Sequence, residues 1–312
     1  MTDLILHQYR SSPFSEKIRC LLGYKELSYK TVEIPVIMPK PDLMALTGGY
    51  RKTPVFQRGA DIYCDTAIIC RFIEEICPAK PVYSSSKEAA LSAAAHWTDT
   101  FLFRVSVAVA FQPKALAASE LLSDPAAAEA FMRDRADFTA GSTALGMELE
   151  VAVPHWLAHI SKLNTQLSGS AFLGGSTPDI LDFSTYHCCW LVYSNPLLEP
   201  ELEAFPDVAR WMKAMAAFSS TEPDLIDGEA AVAIASSSEF LTPVTAGTII
   251  EPDLVAGASV EVLPIDYGFQ PTQGELIVAS NDSIVIKRSD ERACELLVHF
   301  PRIGFEIRKS AE

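Results

Sequence analysis

Ser11-Ser12-Pro13-Phe14-Ser15, Lys52-Thr53-Pro54-Val55 and Cys64-Asp65-Thr66-Ala67 are the three stretches on which the reading of this chain turns. Each falls at a junction between a strand and a helix or loop, where backbone groups are open to a ligand. The apolar run Leu4 to Tyr9 reads as a strand. Ser12 after it is placed to cap a helix whose first position is Pro13 and whose apolar stripe is Ile18, Leu21 and Leu22. A capping serine accepts a backbone N–H two or three residues on while its own proton points outward, so capping and anion binding do not compete. A cap alone is the plainer reading of Ser12.

At the second junction Pro54 pushes Thr53 toward an extended conformation, which leaves its N–H and C=O open to antiparallel pairing with a peptide. The dipeptide by itself reads as an ordinary trans proline opening an edge strand. At the third, Asp65 and Thr66 begin a helix with Ile68, Ile69, Phe72, Ile73 and Ile76 at helical spacing and Glu74-Glu75 facing water. The helix start and the Thr66 hydroxyl suit a carboxylate, and the Asp65 side chain suits an ammonium group. A ligand with an amino-acid end presents both.

The order of these motifs resembles the glutathione transferase superfamily over roughly residues 3 to 218. Ser-Pro-Phe-Ser-Glu-Lys-Ile-Arg at 12 to 19 is similar to the active-site start of its serine-type and omega-like members, which makes Ser12 the expected catalytic residue and places Phe14 in the ligand site. The resemblance implies that Thr53 precedes a cis-proline, Pro54, and pairs its backbone with the cysteinyl part of glutathione. It also implies that Lys52 nears the glycyl end, and that Asp65 and Thr66 grip the γ-glutamyl end. Asp65 is one methylene shorter than the more usual Glu or Gln. Pro178-Asp179-Ile180-Leu181-Asp182-Phe183 resembles the family's buried capping motif, with Asp179 as cap and Asp182 reaching back to it. Ser176 capping with Asp179 at the third position is the competing register. Phe205 to Met212 looks like the family's next helix.

Strands and helices alternate to about Cys77, and Pro78, Pro81 and Ser84-Ser85-Ser86 then mark a linker. The expected fold is an α/β thioredoxin-like N-terminal domain over 1–80, an all-α helical domain over 87–235, and a small all-β C-terminal domain over 242–312. The last shows β-rich runs at Ser259 to Leu263, Glu275 to Ala279, Ile284 to Lys287, Leu296 to Phe300 and Phe305 to Arg308. These strands lie outside the usual transferase pattern and suit a small barrel or a two-layer sheet covering an edge or a subunit contact. His299-Phe300-Pro301-Arg302 reads as a strand end with a turn.

The 312 residues, 49% hydrophobic, suffice for two or three cores. No apolar run reaches the roughly 18 residues a membrane span needs, and no signal-peptide pattern precedes the first strand, so a cytoplasmic protein with no membrane partner is expected. A net charge of −15 argues against nucleic acid. Seven cysteines stand in no metal-ligand spacing, and Cys188-Cys189 read as packing. His155 and His159 sit four apart on a helix without an evident third ligand, so no metal is expected. His96, Trp97, Phe101, Phe103 and Arg104 fall on the helix that in the family lines a hydrophobic cleft, and ordinary core is an equal reading.

The expected chemistry holds glutathione along Thr53 with its sulfur beside Ser12, keeping the thiolate for conjugation to, or isomerisation of, a small hydrophobic electrophile. With serine at position 12 a mixed disulfide on the enzyme is ruled out. A homodimer follows from the resemblance. The alternative is a non-catalytic glutathione-binding or protein-interaction module on the same scaffold.

Overall fold

The computed structural model describes residues 3–116, 124–220, 222–241 and 248–310. The domain boundary expected at Thr242 lies outside these residues. The chain divides into two compact units, one made of Met1–Ser15, Leu27–Ile73 and Glu222–Glu312, the other of Glu16–Glu26 and Glu74–Thr221.

The chain opens with β1 (Leu4–Gln8), α1 (Pro13–Tyr24), β2 (Lys30–Glu33), α2 (Pro41–Thr47), β3 (Val55–Arg58), β4 (Asp61–Cys64) and α3 (Thr66–Ile76), the thioredoxin-like order. β1 runs parallel to β2 and antiparallel to β3, and β3 runs antiparallel to β4. Because β1 is covered on both faces, its polar side chains need internal partners. His7 Nε2 lies 2.8 Å from Gln57 Oε1 across β1 and β3. Burial pushes the His7 imidazole down to about 4, against the opposing pull of that hydrogen bond, so the ring is neutral.

The helical unit comprises α4 (Glu88–Trp97), a π-helical turn Thr98–Leu102, α5 (Phe103–Ala110), α6 (Pro113–Leu116), α7 (Pro125–Phe138), α8 (Leu149–Leu167), α9 (Ile180–Tyr193) and α10 (Pro206–Ala216). Its core buries Trp156, Phe183, Tyr186 and Trp211, and Cys188 and Cys189 are fully enclosed. The capping box at α9 forms in the register with Asp179 as cap, and the Ser176 alternative does not. Asp182 accepts from the N–H groups of Leu173 (2.7 Å), Gly174 (3.0 Å) and Asp179 (2.9 Å) and from Trp211 Nε1 (2.8 Å). A second buried cluster joins Lys17 Nζ to Asp99 Oδ2 at 2.6 Å, with His187 Nε2 on Asp99 Oδ1 at 3.0 Å. Burial alone pushes the Asp99 carboxyl up, but the Lys17 ammonium and the His187 hydrogen bond more than reverse this and hold it at about 2. Glu74, expected in water, accepts from the fully buried Lys25 ammonium at 2.6 Å, because a buried cation needs a counter-charge beside the Cys77 and Ala79 carbonyls that also accept from it. The rings of His155 and His159 pack against Phe101 and Trp97. Among the described residues no helix is long and apolar enough to cross a membrane.

β5 (Asp224–Leu225) pairs with β2, and α11 (Gly228–Ser236) follows, capped by Asp227. β6 (Ser259–Pro264), β7 (Thr272–Ala279), β8 (Ser283–Asp290), β9 (Cys294–Pro301) and β10 (Phe305–Lys309) then continue the N-terminal sheet. β9 lies parallel to β4 with Asp61 opposite Leu297 and Tyr63 opposite His299. The strand order is β10-β6-β7-β8-β9-β4-β3-β1-β2-β5. These C-terminal strands therefore extend an existing sheet rather than closing a barrel, because β9 alternates apolar residues on both faces. Leu296, Val298 and Phe300 enter the main core, while Leu297 meets Ile277 and Val285 on the other side. His299 is fixed within the seam: its Nε2 sits 2.9 Å from Asp61 Oδ1 and its ring stacks 4.4 Å from Tyr63.

Candidate functional site

The strand registers bring the three sequence junctions to one end of the sheet. His7 faces Val55 and Val55 faces Cys64 in antiparallel pairs, so the exit of β1, the entry of β3 and the exit of β4 are neighbours. Ser12, Thr53-Pro54 and Asp65-Thr66 occupy those three positions, all within the same unit.

Ser12 is 2% exposed and behaves as the sequence requires of a cap. Its Oγ accepts the Ser15 N–H at 3.2 Å, and its own N–H donates to the Tyr9 carbonyl at 3.0 Å. Among the described residues nothing accepts the Ser12 hydroxyl proton, which remains able to donate to an anion at the α1 start. One turn further on, Ser15 Oγ is buried without a partner among the described residues. The Ser12-x-x-Ser15 spacing was the available signal for this second hydroxyl. Phe14 is half-buried beside them.

The Thr53-Pro54 peptide bond is cis, as the resemblance implied and the dipeptide alone did not. Among the described residues the Thr53 N–H and C=O carry no hydrogen bond, so an extended peptide can pair with both. Lys40 Nζ approaches Thr53 Oγ1 at 3.5 Å and lies 5.5 Å from the Tyr9 ring centre. Nothing local in the sequence pointed to this buried ammonium.

Asp65 adopts φ 92, in the left-handed region, and its Oδ1 accepts the Ala67 N–H at 2.9 Å. Its carboxylate thus caps α3 as well as facing the junction, and Thr66 beside it is 5% exposed. The cap carboxylate places negative charge at this junction, and the backbone N–H groups of the helix start favour an anion. Lys52 is engaged within this structure: its Nζ lies 2.5 Å from Asp266 Oδ1 and 3.9 Å from the Tyr267 ring centre. The neighbouring thiol of Cys64 is fully enclosed and burial raises it well above its ordinary range, which leaves it protonated and inert.

The glutathione S-transferase N-terminal domain family matches residues 6–81. A solved GST-like protein from Pseudomonas syringae is 35% identical, with 99% of this chain and 100% of that chain covered and a TM-score of 0.82. That match takes in the C-terminal strands. A glutathione S-transferase from Rhodospirillum rubrum F11 is 17% identical, with 70% of this chain and 88% of that chain covered and a TM-score of 0.50, a likeness of fold. No curated protein matches the sequence.

Proposed function

The chain belongs to the glutathione transferase superfamily, and from that premise we propose that it binds glutathione across the three junctions and uses Ser12 to hold the thiolate for attack on a small hydrophobic electrophile. The observation that carries this is the Ser12 hydroxyl, whose lone pair caps α1 while its proton stays available at the helix start. Thr53 offers the backbone pair for the cysteinyl unit, and Asp65 with Thr66 offers the α3 start for the γ-glutamyl end. Phe14 packs beside the sulfur position, and Lys52 with Pro54 shapes the glycyl side.

The magnitudes agree. A thiol of pKa about 8.5 is only a few per cent ionised at neutral pH, and each unit of lowering requires about 1.4 kcal/mol. A hydrogen bond to a charged group contributes about 1.5 to 3 kcal/mol, so Ser12 and the helix end together supply one to two units. Serines at 12 and 15 preclude a mixed disulfide at either position, which favours conjugation or isomerisation over thiol-disulfide exchange.

Calorimetry with glutathione and turnover on an aryl halide, for the wild type and Ser12→Ala, test the reading. Catalysis predicts that Ser12→Ala loses turnover at least tenfold while glutathione affinity stays within about threefold, the loss corresponding to about 1.4 kcal/mol or more. Binding without turnover in either protein supports the scaffold alternative. No binding by the wild type overturns both.

A further inference from the structure

The segment between β6 and β7 belongs to the C-terminal strands, yet it reaches the residue beside Thr53. Asp266 and Tyr267 hold the Lys52 ammonium between a carboxylate at 2.5 Å and a ring at 3.9 Å, and the Lys52 side chain is 13% exposed. Building on the glutathione reading, we propose that Asp266 is a specificity-determining residue that selects γ-glutamyl-cysteinyl peptides whose C-terminal carboxylate is masked as an ester or amide.

With the amino-acid end of the ligand at α3, its middle on Thr53 and its sulfur at Ser12, the remaining end runs toward Lys52. There the cation that a free carboxylate would seek already has an anion of its own. A free glycyl carboxylate arriving at Lys52 meets the like charge of Asp266 and must share or displace it. A masked carboxyl group brings no such charge, and an amide N–H finds an acceptor in Asp266.

Asp266 is also fixed rather than yielding. Its Oδ1 accepts the Tyr267 N–H at 2.7 Å, which orients the carboxylate. The far end of the segment is clamped onto the chain ahead of Lys52: a Cβ at Gly49 would lie 2.5 Å from the Pro271 carbonyl oxygen, so backbone meets backbone there. On β8, Arg288 donates to the Ala45 and Leu46 carbonyls at the end of α2. These contacts hold the anion beside Lys52 while the ligand binds.

Calorimetric titration of the full chain with glutathione and with its glycyl monoethyl ester, for wild type, Asp266→Asn and Lys52→Gln, tests the proposal. The wild type is expected to bind the ester at least threefold more tightly than the acid. Asp266→Asn frees Lys52 for the ligand carboxylate and shifts that ratio at least tenfold toward the acid, whereas Lys52→Gln removes the cation, keeps the Asp266 carboxylate and shifts it further toward the ester. Binding of both ligands with a ratio unchanged by Asp266→Asn overturns the proposal alone. No binding of either ligand by the wild type overturns the glutathione reading, and this proposal with it.

Discussion

The helices α1 and α9 begin with the same device and differ in how far its hydrogen-bonding capacity is filled. At α9 the carboxylate of Asp182 is saturated by four donors, and Asp179 closes the box. At α1 the Ser12 hydroxyl accepts one N–H and retains a proton that no described residue takes. A saturated cap stabilises a fold, because each donor it loses becomes a buried polar group without a partner. An unsaturated cap contributes less to stability and leaves chemistry available. The two starts are told apart by their hydrogen-bond inventory rather than by their sequence pattern.

Four substitutions sharpen or break that contrast. Asp182→Ala strands the Trp211 indole and three backbone N–H groups, and a loss of about 3 to 5 kcal/mol is expected by urea unfolding. A loss under about 1 kcal/mol would show that α9 is not held by its cap. Lys17→Met takes the only cation within salt-bridge distance from Asp99 among the described residues apart from the His187 imidazole, leaves the carboxylate to His187 and the Ser184 hydroxyl, and is expected to cost about 3 kcal/mol. The same pair sets an acid limb. Asp99 is depressed from its ordinary 3.8 to about 2, so its contribution of about 2 kcal/mol is present at neutral pH and is lost as pH falls from about 4 through 2. Unfolding of Lys17→Met followed across that window should show a shallower decline than the wild type, and an unchanged slope would remove Asp99 as the source.

Ser12→Ala loses a single cap bond, so a stability change of only about 1 kcal/mol is expected beside the much larger loss of turnover. A large stability loss with turnover retained would make α1 the same kind of start as α9. Smallest is Ser15→Ala, which deletes a buried hydroxyl with no described partner and should move stability by no more than about 0.5 kcal/mol in either direction by thermal melting. A loss well above that would mean Ser15 holds a bond that matters.

What was legible in the chain was local. Ser12 and Pro13 at a helix start, the Asp179–Asp182 spacing and the five C-terminal strand runs each lie within a few residues, where period and capping chemistry act. The remainder joins distant positions. Lys52 and Asp266 are 214 positions apart, and Lys17 and Asp99 are 82 apart. No periodicity encodes such pairs, because a lysine on a solvated face and a lysine bound to a buried acid have the same one-dimensional surroundings. The parallel seam of β9 on β4 escaped for a related reason: Leu296 to Phe300 reads as a strand whichever neighbour it takes.

That seam sets an order of events on the ribosome. Asp61 and His299 lie 238 positions apart, so β4 has no partner on its outer side until β9 has emerged. Until then the nascent polypeptide presents an unmatched row of amide and carbonyl groups beside an apolar surface, the kind of template on which chains stick to one another. A nonsense mutation ahead of Cys294 would make that interval permanent, and its product should be found in inclusion bodies rather than as a smaller working protein.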